Sequence, residues 1–275
     1  MSDAINHEHA DSVVAAQDSS HAEGHDYEKG SPHLRHDRLR TMVEVRLAAL
    51  VAQSIRRTGQ CRVLEVGAGH GTFTYSLLKA GAHVTVTETS SASADHLRHR
   101  FGNSSDVEVR FDESGEAILQ STDRWDLAVM TSVLHHIPDY LTFLSKLSAL
   151  VTEGGAILTV QDPLYYPRMP KVAHVADRGA YFAWRVFQGD VKRGLATRLR
   201  RLRGVYLDTE ASDLVEYHVV RDGVDEDAIA DTLGFHFDNV EIFRYWSTQA
   251  PLLQRIGDRT RLVTTFGIEA TGRRR

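Results

Sequence analysis

The chain has 275 residues, 42% hydrophobic and 25% charged, which suits one large globular domain or two small ones. It shows neither an apolar run long enough to span a membrane nor the basic-then-apolar start of a secretory signal. A single cysteine, Cys61, excludes an internal disulfide framework and a thiolate metal cluster, and points to a reducing, cytoplasmic setting. The net charge of −5 belongs to one end: residues 1–30 hold seven acids and one base, whereas the remaining 245 hold 30 acids and 31 bases, a balance that disfavours nucleic acid.

Residues 1–30 are polar, acidic and poor in large apolar side chains, so they read as a solvated, disordered tail. Its histidines, His7, His9, His21 and His25, lack the cysteines and fixed spacing of a metal site. From His36 to about Arg57, apolar residues recur at three and four spacings, the mark of a helix. CRVLEV, 61–66, is a buried strand ended by glycines, and Thr72 to Ala80 is a helix closed by Gly81. HVTVTE, 83–88, alternates and is β-branched, so it is the second strand. A helix from Ser93 to Phe101 leads to a third strand, 107–111, and Ile118 lies in a short connecting helix or turn. DLAVMT, 126–131, is the fourth strand, Tyr140 to Val151 is helical, and Gly154-Gly155 turns into a fifth strand, 156–161. This alternation over about a hundred residues indicates an α/β fold, a parallel sheet with helices on both faces.

After Pro163 the rhythm breaks until a helix at Glu226–Leu233, a strand at Val240–Tyr245 and a last strand at Arg261–Ala270. The chain therefore divides into the tail, a core of 31–162 with 223–275, and an inserted cap at 163–222.

VLEVGAGHGTFT, 63–74, joins the first strand to the first sheet helix. Gly67, Gly69 and Gly71 allow a tight turn and close backbone approach to a ligand. A dinucleotide fingerprint would put glycine at position 72, where Thr72 stands. Glu65 precedes the loop, and a carboxylate there suits an ammonium better than a pyrophosphate. Glu88 ends the second strand, where an acid can take two ribose hydroxyls. This E-x-G-x-G-x-G with an acid after the next strand, followed by VLHHIPD and GGAILTVQDP, resembles the class I S-adenosylmethionine-dependent methyltransferase family over about residues 60–162. A weaker likeness extends over 225–271.

The resemblance implies a Rossmann-like doubly wound sheet of about seven mostly parallel strands with an antiparallel last strand, plus an inserted helical cap. It implies S-adenosyl-L-methionine as cofactor and S-adenosyl-L-homocysteine as product. Glu65, Gly67, Ala68, Gly69 and Gly71 would hold the methionine portion, and Glu88 with Thr89 the ribose. Asp112, favoured over Glu113, would face the adenine amino group, and Thr131 and Ser132 would lie beside the methionine.

Methyl transfer to a hydroxyl or a protonated amine also needs a proton acceptor, a task that suits histidine near neutral pH. His135 and His136 follow the fourth strand, so either is a candidate base, with His136 taken first, or a residue packing over the cofactor. A metal is not expected, because neighbours on a helix point about a hundred degrees apart. The segment 27–36 offers Tyr27, His33, Arg35 and His36 as acceptor contacts, against the alternative of a plain lead-in to the first helix. The insertion contributes Tyr165, Tyr166, Tyr181, Phe182, Trp184 and Phe187, suited to an apolar pocket or to a cap's own core. Residues 191–205 form an amphipathic arginine-rich stretch that reads first as a solvated face, then as a lid over an anionic acceptor or a membrane-surface helix.

The expectation is a methyltransferase acting on a small organic acceptor, with O-methylation favoured over C- or N-methylation. A protein of this fold that binds the cofactor without transferring methyl is the alternative from a different class. An RNA or lipid methyltransferase ranks below both, and stable membrane association is not expected. The sequence leaves the oligomeric state open.

Overall fold

The computed structural model describes residues 31–176, 179 and 222–275. The expected tail, most of the expected cap and the arginine-rich stretch lie outside these residues.

Two helices open the described chain, α1 (Pro32–Arg35) and α2 (Asp37–Thr58), the latter stopped by Gly59 in the left-handed conformation. Then come β1 (Arg62–Val66), α3 (Thr72–Lys79), β2 (His83–Glu88), α4 (Ser91–Phe101) and β3 (Val107–Phe111). A short 3-10 turn (Ala117–Gln120) leads to β4 (Trp125–Thr131), a second 3-10 turn (Leu134–His136), α5 (Tyr140–Ser148) and β5 (Val151–Pro163). The chain closes with α6 (Glu226–Gly234), β6 (Phe237–Tyr245), α7 (Pro251–Gly257) and β7 (Thr265–Arg273).

The seven strands form one sheet in the order β3-β2-β1-β4-β5-β7-β6. Strands β1 to β5 pair in parallel, and β7 runs antiparallel to both of its neighbours. This is the expected doubly wound sheet with an antiparallel last strand. Side chains alternate along each strand and split the interior into two cores. Val63, Val84, Leu127, Val129 and Leu158 pack on one face with Leu47 and Val51 of α2 and Leu77 of α3. Leu64, Met130 and Ile157 pack on the other with Leu144 and Leu147 of α5 and Leu233 of α6.

Several boundaries differ from the sequence reading. Strand β5 starts at Val151, because the expected Gly154-Gly155 turn is a register shift inside a longer strand, with Gly154 at φ +72°. Helix α5 accordingly stops at Ser148 rather than reaching Val151. The last strand begins at Thr265 rather than Arg261, the intervening residues being irregular, and a helix that the periodicity left unassigned, α7, precedes it, opened by Pro251 in its first turn. No described helix is long and apolar enough to cross a membrane.

The sheet order reverses direction between β1 and β4. Ligands in open α/β sheets bind at such a switch point, beyond the carboxyl ends of the strands.

Candidate functional site

The glycine loop leaves β1 at this switch point. Gly67, Gly69 and Gly71 all have positive φ, at +69°, +57° and +78°. A Cβ on Gly67 would stand 2.7 Å from Val133 Cγ2, and one on Gly71 would stand 2.5 Å from Phe101 Cε2. The protein's own packing thus demands glycine at both positions. Ala68, between the first two glycines, accepts the Gly71 amide on its carbonyl at 3.0 Å, closing the turn.

Two buried carboxylates flank the loop. Glu65 accepts a hydrogen bond from Thr74 Oγ1 of α3 at 2.6 Å, and burial pushes its pKa up to about 7 against that bond. Glu88, at the end of β2, accepts from the Gly69 amide. Burial, with the charge of Glu65 adding, pushes its pKa up to about 8, opposed by the amides of Gly69 and Thr89. Neither carboxylate forms an ion pair among the described residues. Such a pair of uncompensated acids suits a cationic ligand that also offers hydroxyls.

Beyond β3, Asp112 is buried and Glu113 exposed, so Asp112 is the acid turned inward. Its carboxylate accepts from Ser114 Oγ at 2.8 Å and from the Ile118 amide at 3.0 Å. These bonds fold 112–118 into a compact loop along the site's rim. At the end of β4, Thr131 Oγ1 is buried with no hydrogen-bond partner among the described residues. Ser132 follows at φ +61°, an uncommon conformation for a non-glycine residue, held by its amide donating to Val160 O at 2.8 Å.

The two histidines occupy the 3-10 turn after β4 and differ in surroundings. His135 Nδ1 lies 2.8 Å from Asp162 Oδ1, and its backbone amide donates to the same oxygen at 3.1 Å. Asp162 is fully buried, and its Oδ2 has no partner among the described residues. The ring of His136 lies 4.0 Å from that of His135, tilted by 45°. Side-chain torsions thus bring together rings that backbone geometry alone would splay. Even so, no group of three or more His, Cys, Asp or Glu among the described residues could hold a metal ion.

Asp162 reaches His135 through a bulge. The register of β5 against β7 shifts between Val160 and Asp162, and Gln161 there has φ +70°. Tyr245 anchors the bulge: its hydroxyl accepts from the Gln161 amide at 2.9 Å and donates to Gln161 Oε1 at 3.3 Å. Gln161 Nε2 donates onward to Ser247 Oγ at 2.7 Å. A bulge re-aims the side chain that follows it, here the carboxylate of Asp162.

Helix α1 covers this end of the sheet. Of its candidate residues, Arg35 donates to Gln249 O at 3.1 Å and His36 Nε2 lies 2.8 Å from Thr248 O, so both grip the segment before α7. His33 turns inward, stacks on Phe73 at 6.0 Å between ring centroids, and lies close enough to His135 to sense its charge. Tyr27 and the aromatic residues from Tyr181 onward lie outside the described residues. Tyr165 and Tyr166 sit at the root of the expected cap. That root is clamped by Arg168 on Asp225 and Glu226, and by the Tyr166 amide donating to Asp222 O at 2.6 Å.

A model of the methyltransferase domain matches residues 64–157, the stretch that holds the glycine loop, both acids and the histidine turn. The chain carries a class I S-adenosylmethionine-dependent methyltransferase domain. Over 97 residues it is 30% identical to the ubiquinone biosynthesis O-methyltransferase of Aromatoleum aromaticum, covering 35% of this chain and 42% of that one. Over 68 residues it is 37% identical to the ribosomal RNA small subunit methyltransferase A of Thermotoga petrophila, covering 25% and 26%. The chain thus spans less than half the length of these two relatives. In fold, the methyltransferase domain resembles the crystal structure of the CurJ carbon methyltransferase. The TM-score is 0.52 at 12% identity, over 88% of this chain and 57% of that one.

The expected residues thus gather on the carboxyl edges of four adjacent strands, β3, β2, β1 and β4, and β5 adds Asp162. Asp162, within GGAILTVQDP, and Thr74, the partner of Glu65, join the site with no role expected from the sequence. An acid ending a strand, next to proline, was the available signal for Asp162. Nothing in the spacing marked Thr74.

Proposed function

We propose that the chain transfers a methyl group from S-adenosylmethionine to a small organic acceptor, with oxygen as the favoured acceptor atom. One observation carries this reading: a histidine held by a buried carboxylate stands on the strand edge that bears the glycine loop and Glu88. The two uncompensated acids and the unpartnered Thr131 hydroxyl fit the cofactor's cationic methionine end and its ribose. Glu65 with Gly67, Ala68, Gly69 and Gly71 would hold the methionine portion, and Glu88 with Thr89 the ribose. Asp112 and its loop would border the adenine, with Thr131 and Ser132 beside the sulfur-bearing chain.

When bound, the cofactor supplies a methyl group already activated by positive sulfur. The protein's share is to align the acceptor, exclude water and take a proton. We assign the proton to His135 rather than His136, because the carboxylate stands on His135. With Asp162 accepting at Nδ1, the ring proton sits there and Nε2 carries the lone pair. The imidazolium formed on proton transfer is then stabilised by the same carboxylate. The single buried Cys61, whose thiol burial pushes up to about 11, accords with work in a reducing cytoplasm.

The test is S-adenosylhomocysteine release with a panel of hydroxyl, amine and activated-carbon acceptors, the products identified by mass spectrometry. O-methylated products that need His135 support the reading. Methylation only of carbon or nitrogen, unaffected by His135→Ala, refutes the oxygen assignment.

A further inference from the structure

His135 bonds to Asp162 and has His33 close enough to feel its charge. His33 Nδ1, Asp162 Oδ2 and Thr131 Oγ1 come from α1, β5 and β4, and each is buried with no hydrogen-bond partner among the described residues. A buried polar atom left unpaired is costly, so three on elements meeting at one strand edge call for a common explanation.

His33 is the most informative of the three. It is 3% exposed, yet an aromatic residue without nitrogen would fill the same space against Phe73. Burial, with the nearby charge of His135 adding, brings its pKa down to about 3. The ring therefore stays neutral and can serve as a hydrogen-bond donor or acceptor without competing for the proton that His135 takes. Helix α1 is held in place from outside by the Arg35 and His36 contacts to Gln249 and Thr248, which fixes where His33 stands.

We propose that His33 recognises the acceptor: its Nδ1 hydrogen-bonds a polar group next to the hydroxyl presented to His135, so that the preferred acceptor carries two neighbouring polar groups, as a 1,2-diol does. This rests on the methyl-transfer reading above. An acceptor with a lone hydroxyl would engage His135 and leave His33 unpaired. A vicinal diol satisfies both imidazoles, one as base and one as neutral partner.

The experiment uses the full chain and matched probes: 1,2-dihydroxybenzene against phenol, and cis-1,2-cyclohexanediol against cyclohexanol. S-adenosylhomocysteine release is followed for wild type, His33→Phe and His33→Asn, with S-adenosylmethionine affinity measured alongside. The phenylalanine keeps the stack on Phe73 and removes the nitrogen, whereas the asparagine amide can reach the place of Nδ1. Wild type should prefer a diol to its single-hydroxyl counterpart by about tenfold or more, the worth of one buried hydrogen bond. His33→Phe should lose that preference through KM with cofactor affinity unchanged, and His33→Asn should recover part of it. Equal diol preference in wild type and His33→Phe overturns the proposal, as does a wild type that binds the cofactor but methylates no diol. If His33→Phe does not fold, His33→Asn decides: a diol preference reduced through a raised diol KM supports the proposal, and a preference and KM equal to those of wild type overturn it. Absence of cofactor binding by wild type would instead remove the methyl-transfer reading itself.

Discussion

Asp162→Asn separates the charge of the carboxylate from its geometry. Asp162 Oδ1 alone receives both donors from His135, the amide at 3.1 Å and Nδ1 at 2.8 Å. An asparagine that keeps its oxygen at Oδ1 preserves both contacts and places its NH2 at the unpartnered Oδ2 position. The imidazole then stays oriented, but the imidazolium formed on proton transfer loses its negative neighbour. Hydrogen bonds to charged groups contribute roughly 1.5–3 kcal/mol and neutral ones roughly 0.5–1.5 kcal/mol. The difference, about 1–2 kcal/mol, corresponds to a fall of about 5–30-fold in kcat. Asp162→Ala removes both contacts and frees the ring, so its loss should approach the roughly 10²–10⁴-fold worth of general base catalysis. The assay is initial-rate S-adenosylhomocysteine formation with an acceptor that wild type methylates, alongside nitrogen-15 NMR of the histidine tautomer. Asp162→Asn should lower kcat and leave the KM for S-adenosylmethionine in place. A wild-type rate in both variants would refute the role of the pair.

Three further outcomes follow from the same geometry. Glu65 and Glu88 carry pKa values near 7 and 8 in the fold against an ordinary 4.5, so the folded chain keeps protons that the unfolded chain releases. Without cofactor, their contribution to stability is full below about pH 4.5 and is lost as pH rises toward 8. Thermal unfolding across that window should show the decline, and Glu88→Gln should flatten it. Thr131→Val replaces a buried, unpartnered hydroxyl with a methyl group of similar shape. It should raise the melting temperature of the cofactor-free protein and weaken S-adenosylmethionine binding, read by scanning calorimetry and titration. Gly71→Ala meets both a left-handed φ of +78° and a Cβ contact of 2.5 Å with Phe101. It should destabilise the fold by roughly 2–4 kcal/mol in urea unfolding.

Strands β1, β2 and β4 were legible because they are buried on both faces, and β3 because valine alternates with polar residues along it. HVTVTE and VEVRF occupy the observed β2 and β3 without shift. Legibility failed where the backbone departs from a simple period. The bulge at Gln161 depends on a partner strand a hundred residues away, with Tyr245 as its anchor, and no local pattern announces it. The same bulge makes the adjacent histidines differ, by bringing Asp162 to His135, whereas sequence alone treats them as near equivalents. Ring contact between them at 4.0 Å was likewise beyond reach, because it is set by side-chain torsions. Helix α7 is only seven residues long and begins at a proline, too short for an amphipathic period to register.

Every step proposed above requires S-adenosylmethionine to bind at the carboxyl edge of β1, β2 and β4, against Glu65 and Glu88. Calorimetric titration of the full chain with S-adenosylmethionine, beside Glu88→Ala, tests it most directly. The expected result is saturable binding at one site per chain, weakened by about tenfold or more in the variant, as for loss of a buried hydrogen-bonding group. Absence of binding by the intact chain, or equal affinity in Glu88→Ala, would contradict it.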